Sequence, residues 1–257
     1  MTREFRALPT LAAGPVEMPS AIQSWAEDFT RDIVWNEHSH PFHELLWNER
    51  GASTFVVGSR IWTVTSTVGL WVPAGTLHSG SASAGTRCRA GFFGFGATSS
   101  ISPTPVGVEI TPLLRLLLER LADTELAPES RAVTEAMVVD VLVPSPRELL
   151  VQMPAGGLLR PIADAVRRHP GDQRTLADWA VRLGVSARTI SRAFNDETGM
   201  SFVRWVARVR AQHAIELLAR GWEIDAVAEE VGYRSASAFG AAFRRTTGLT
   251  PGAFRAR

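Results

Sequence analysis

Three of the six histidines crowd into the stretch HSHPFHE at residues 38–44, and a fourth, His78, closes the run GLWVPAGTLH. Side chains on an extended strand alternate between two faces, so His38, His40 and Glu44 can share one face while His43 points to the other, outside. If that shared face turns inward in a barrel, the three groups converge on its interior. Imidazoles and a carboxylate together suit three roles, which residue type alone leaves open: a transition-metal site, polar contacts to a small organic ligand, or a structural cluster. Trp47, Trp62 and Trp71 recur nearby and either line a pocket or fill the core. Cys88 is the single cysteine, cannot form an internal disulfide, and reads as a small buried hydrophobe.

A second chemistry belongs to the other half. The formal charge is +1, yet residues 1–155 carry 11 Arg against 16 Asp+Glu, net −5, while residues 156–257 carry 16 Arg against 10 Asp+Glu, net +6. A basic half is a candidate nucleic-acid surface. There is no lysine, so every basic contact is a guanidinium, which suits bidentate pairing with phosphate or guanine. Ile190 and Phe194, four apart, face inward from a helix and turn Arg188, Ser191 and Arg192 outward together, with Ser186 and Thr189 at its start. Arginine there can pair with guanine O6 and N7 or hold a phosphate. With Phe239 and Phe243 inward on a later helix, Arg234, Ser235, Ser237 and Arg244 face out among alanines. That set is poor in donors, and predicts affinity and register rather than base reading.

These groups need two kinds of scaffold, so the expected fold class is α+β with two domains. From Asp32 to Phe95 the segments DIVWNE, FHELLWN, STFVVG, RIWTVTS, GLWVPAG and CRAGFFGF alternate and are broken by turn residues, which predicts a small antiparallel barrel within residues 1–103. SSISPTPVG, at 99–107, is a proline-broken connector. Thr111 caps a helix with Pro112 at its first position, and a second apolar helix follows at 131–143. These make up a segment, 104–150, whose apolar faces pack on the barrel or on a second copy of the chain, and a homodimer is expected.

From Leu158 onward the pattern is helical, and residues 156–257 form the second domain. Thr175 and Asp178 make a capping-box pattern, Gly184 ends that helix, and Ser186 caps the next, a helix-turn-helix over residues 175–197. The layout recurs over 224–247, with Gly232 at the turn and Ser235 opening the second helix. Between them, residues 201–221 provide about 20 helical residues and about 30 Å of rise. One turn of B-DNA is about 34 Å, so both recognition helices can enter successive major grooves on one face of the duplex.

The runs LADWAVRLGVSARTISRAFNDETGMSF, ARVRAQHAIELLARG and IDAVAEEVGYRSASAFGAAFRRTTGLTPGAFR resemble the DNA-binding domain of the AraC/XylS family of transcription regulators. The resemblance covers about two-fifths of the chain. It implies a dual helix-turn-helix fold, double-stranded DNA upstream of promoters as partner, and contact with RNA polymerase in activating members. His38-x-His40-x3-Glu44-x6-Gly51 resembles the first motif of cupin barrels, and GLWVPAGTLH a shortened second motif. In metal-binding cupins these four positions, here His38, His40, Glu44 and His78, are the ligands, and three imidazoles with a carboxylate suit zinc, nickel, iron, manganese or copper.

The expected function is a DNA-binding transcription regulator responding to a small molecule or metal ion bound in the barrel. The alternative is a metal-dependent cupin dioxygenase or isomerase with an accessory helical domain. An enzyme needs an acid or base beside the metal. No second carboxylate or tyrosine is convincingly placed for that, Tyr233 lying in the helical half, so a non-enzyme is expected. No apolar stretch approaches membrane-spanning length, and no signal-like run opens the chain, which leads us to expect a cytoplasmic protein. His169 and His213 read as capping or surface groups.

Overall fold

The computed structural model describes residues 3–96, 98–145 and 148–255. Contacts divide it into two compact units: one takes the chain up to Gly58 together with Trp62–Glu148, the other takes Ser59–Ile61 and the chain from Leu149 onward.

The first unit is built on β1 (Arg3–Arg6), β2 (Ile22–Asp28), β3 (Asp32–His38), β4 (His43–Arg50), β5 (Ser53–Val57), β6 (Arg60–Val64, of which Arg60 and Ile61 group with the second unit), β7 (Val68–Val72), β8 (His78–Ala82), β9 (Arg87–Phe93) and β10 (Val106–Glu109). One sheet runs β1-β3-β8-β5-β6 and the other β10-β7-β4-β9-β2. All pairings given a register are antiparallel except β1 with β3, which is parallel. The central strand β4 is buried over His43–Asn48, with neighbours on both edges and covered faces. The sheet runs past the expected boundary at residue 103, because Val106–Glu109 pair with β7 and Val108 is fully buried.

Two helices follow, α1 (Pro112–Leu121) and α2 (Pro128–Val141). The Thr111 hydroxyl accepts from Leu114 N–H and Pro112 takes the first turn, as the local sequence predicts. Leu114, Leu117, Leu118 and Leu121 are buried along one stripe of α1. Leu113, Leu116, Val133 and Met137 lie outside it, at 49%, 63%, 62% and 44% exposure.

The second unit contains β11 (Leu150–Gln152), α3 (Arg160–Arg168), α4 (Leu176–Leu183), α5 (Ala187–Thr198), α6 (Phe202–Ala219), α7 (Ile224–Glu230), α8 (Ala236–Thr247) and α9 (Pro251–Arg255). Thr175 and Asp178 form a reciprocal capping box on α4, and Gly184 takes a left-handed φ of 66° that turns the chain into the Ser186 cap of α5. One core gathers Ile162, Trp179, Ile190, Phe194, Phe202 and Trp205. The Phe239 and Phe243 rings pack in a tilted arrangement with centroids 5.4 Å apart under the later helices, with Val227 and Val231 also buried. Among the described residues no helix is long and apolar enough to cross a membrane.

Candidate functional site

His38, His40 and His78 come together with their ligand atoms within 4.8 Å of one another. They do so by a different route from strand parity. His38 ends β3, the chain turns through Pro41 and Phe42, and Glu44 arrives from β4, so the expectation of a single strand face is corrected. A register shift between Trp35 and His38 lets an odd-numbered and an even-numbered residue of β3 both face inward. His78, first residue of β8, pairs directly with His38.

Second contacts orient the rings. His38 Nδ1–H donates to Asn36 O at 2.7 Å and His78 Nδ1–H to Thr76 O at 2.9 Å. A carbonyl only accepts, so in the neutral rings the proton sits on Nδ1 and Nε2 keeps its lone pair. Glu44 Oε2 stands 3.4 Å from His78 Nε2 and 3.7 Å from His40 Nε2. Glu44 Oε2 and His78 Nε2 are both buried without a hydrogen-bond partner. Burial pulls His38 and His40 below the ordinary imidazole pKa. It pulls on His78 too, but the Glu44 carboxylate outweighs it and holds His78 above its ordinary value.

The four groups occupy one part of a cavity of about 300 Å³. Glu44, Leu46 and Asn48 of β4 lie opposite Phe92, Ala90 and Cys88 of β9 in register, and this strand pair supplies one wall. Trp25, Trp35, Trp47 and Phe55 add aromatic surface. The cavity's arginines are already paired: Arg6 with Glu27 in a bidentate contact at 2.5 and 2.7 Å, and Arg89 with Glu49. Arg6 holds Glu27 below the usual carboxylate range. Cys88 Sγ and Ser53 Oγ both donate to Asn48 Oδ1, at 3.1 and 2.9 Å, and burial pushes the Cys88 thiol up to about 12.

His43 does not face solvent as parity suggests. It occupies the opposite face of β4 from Glu44, but that face is covered: Ala74 N–H donates to its Nδ1 at 3.0 Å, and its ring stacks on Trp71 at 5.4 Å. Trp71 and Trp62 are core, whereas Trp47 lines the cavity. His169 is the exposed C-cap of α3, and His213 is half-buried on α6.

In the second unit, Ile190 and Phe194 are fully buried under α5 while Arg188, Thr189 and Arg192 are exposed and Ser191 is half-buried. Ser186 and Thr189 share a 2.8 Å hydroxyl contact at the cap, and Arg192 pairs loosely with Asp196 at 3.6 Å. On α8 the buried pair is Phe239 and Phe243. Arg234, Ser235, Ser237 and Arg244 are exposed there, with the Ser235 hydroxyl capping Ala238 N–H at 3.2 Å.

Two family models match parts of the chain: an AraC-like ligand binding domain over residues 26–138 and a helix-turn-helix domain over residues 179–257. The HTH-type transcriptional regulator NimR of Escherichia coli is 27% identical over 232 residues, 89% of this chain and 85% of that one. The chain belongs to the AraC family of transcription regulators. The HTH-type transcriptional regulator RipA of Corynebacterium glutamicum is 42% identical over 102 residues, but this chain spans only 31% of its length. Among solved structures, the C-terminal domain of AraT, a response regulator from Geobacillus stearothermophilus, is 30% identical over 39% of this chain and 85% of that one, with a TM-score of 0.38.

In this AraC-family chain the ligand-binding region contains all four of His38, His40, Glu44 and His78, and the helix-turn-helix region contains both α5 and α8. Trp25, Trp35, Phe55 and Asn48 are cavity residues that sequence reading missed. The alternation Glu44, Leu46, Asn48 on FHELLWN was a usable signal for one of them; the others depend on strands meeting across the barrel.

Proposed function

We propose that this AraC-family regulator senses a divalent transition metal, zinc, nickel, iron, manganese or copper, at His38, His40, Glu44 and His78, and answers through the DNA affinity of its helical unit. The observation that carries the metal reading is the pair of buried, unsatisfied atoms, Glu44 Oε2 and His78 Nε2, beside two imidazoles whose carbonyl partners orient their free nitrogens. Buried polar atoms without partners are costly, and carbonyl-anchored histidines are the usual support of a metal ligand. A bound ion would supply a fixed positive charge to this donor set.

A second reading has its own support. The aromatic lining of the cavity suits a small organic effector, with the histidines and Glu44 as its polar contacts. Catalysis is disfavoured by the other cavity carboxylate, Glu27, which is committed to Arg6 and so is poorly placed as a general base.

On double-stranded DNA, Arg188, Ser191 and Arg192 read bases, with Ser186 and Thr189 at the helix start. Arg234, Ser235, Ser237 and Arg244 supply phosphate contacts and register. Leu113, Leu116, Val133 and Met137 form the contact of a homodimer, because apolar side chains this exposed gain from mutual burial. An effector alters the dimer's two DNA units only through different affinities for two states. The setting is the cytoplasm, with RNA polymerase as the partner of any activating function.

Elemental analysis of the purified chain, combined with DNA affinity measured with and without a chelator, tests the reading. About one metal per chain and a chelator-dependent affinity support it. Absence of metal with no chelator effect removes it in favour of the organic effector.

A further inference from the structure

The turn of the second helix-turn-helix lies against the loop that leads into the first. Gln173 Nε2 donates to both Gly171 O and Gly232 O, each at 2.8 Å. Gly232 has a φ of +79°, and a β-carbon there would come within 2.8 Å of Gly171 Cα and O; one on Gly171 would fall 2.8 Å from Glu230 O. The two backbones therefore touch where no side chain fits.

Arg210 of α6 ties the same loop from the other side. Its Nε donates to Pro170 O at 2.8 Å and its Nη2 to Asp172 O at 2.9 Å, while its guanidinium lies 5.4 Å from the centroid of the Tyr233 ring. The Asp172 carboxylate accepts from Arg174 Nε at 2.8 and 2.9 Å, and the Arg174 guanidinium stacks 4.0 Å over Trp179, a buried residue of α4. Contacts thus run from the first helix-turn-helix, through Trp179, Arg174, Asp172 and Arg210, to the turn of the second.

We propose that this knot, Gly171 against Gly232 with Gln173 and Arg210 as its ties, is the device by which the protein selects the spacing between two DNA half-sites. The proposal rests on the DNA-binding reading above. α6 packs into the core of the first helix-turn-helix through Phe202 and Trp205 and also lies against α7 and α8, so the two motifs share one helix but are joined through it alone along that path. The knot adds a direct attachment between the loop before the first motif and the turn of the second, which limits any remaining change in their relative angle. B-DNA turns by about 35° per base pair at about 10.5 bp per turn, so a rigid pair of recognition helices matches one spacing and a pivoting pair matches several. Arg210 and Gln173 would touch no DNA in this role; they are positioning residues.

The test uses the full chain and a duplex selected by it from a random-sequence library. The spacing between the two half-sites is then lengthened and shortened by one and two base pairs. The parent protein should lose about tenfold or more in affinity at a two-base-pair change, against about threefold or less for Gly171→Ala, which wedges the knot at a position of ordinary φ. Binding to a duplex carrying one half-site should be unchanged. Arg210→Met removes both carbonyl contacts without a wedge and should flatten the profile similarly, so the test survives if Gly171→Ala fails to fold. A steep, unshifted spacing profile in both folded variants overturns the proposal while leaving DNA binding intact. Failure of the parent to select any duplex overturns the underlying reading instead.

Discussion

Glu44 and His78, which both line the cavity, face each other across 3.4 Å, and each presents a buried polar atom that no hydrogen bond satisfies. Their strands belong to different sheets, so the barrel must close before they meet. Orphaned atoms of this kind mark a place where the fold accepts a cost that a bound group can offset.

Replacing either partner should therefore weaken loading. Glu44→Gln and His78→Ala should each lower metal affinity by at least about 10–100-fold, the range seen even for groups one step removed from a metal. Titration with zinc or nickel under competition by a coloured chelator measures this. Parent-like affinity in both variants would sink the metal reading.

The two recognition helices should respond differently to alanine. Arg188→Ala should lose about 1–3 kcal/mol of discrimination at one base pair. Arg234→Ala should weaken binding evenly across sequences and reduce the salt slope by about one. Binding to a panel of single-base variants at two salt concentrations separates these outcomes, and equal changes in specificity would contradict the assigned roles.

The apolar residues on α1 and α2 make the oligomeric state testable. Leu116→Arg places a charge at a position 63% exposed in the single chain, so folding should be preserved while association is lost. Sedimentation equilibrium should show a parent dimer and a monomeric variant. A monomeric parent would remove the proposed interface.

Cys88 gives a pH-dependent signature of the barrel core. Its folded pKa is raised from 9.0 to about 12, chiefly by burial, so the folded state favours the neutral thiol. The associated stability is complete below pH 9 and is lost as pH rises toward 12. Unfolding midpoints should therefore fall less steeply over that window in Cys88→Ala than in the parent. At neutral pH the parent thiol should react with alkylating reagents only after denaturant is added.

The helical unit was legible because its signals are local. Thr175 with Asp178, Gly184, Ser186 and Ser235 act within a few residues of themselves, and the spacing of Ile190 to Phe194 and of Phe239 to Phe243 is that of one helix turn, so each piece reads correctly in isolation. The residue types of the cavity site were equally plain, since His38, His40, Glu44 and His78 stand out by composition alone. What the chain order could not reveal was anything decided by pairing across distance. β1, β2, β8 and β10 carry weak alternation and exist because neighbouring strands supply their hydrogen bonds. His43 is buried because Trp71 arrives from β7, and the register shift before His38 together with the turn at Pro41 replaced a simple face rule. Even the knot between Gly171 and Gly232 joins the loop before the first motif to the turn of the second, residues far apart in the chain. Local periodicity thus determined the elements and their chemistry, and only barrel closure and helix packing decided which of those chemistries share a site.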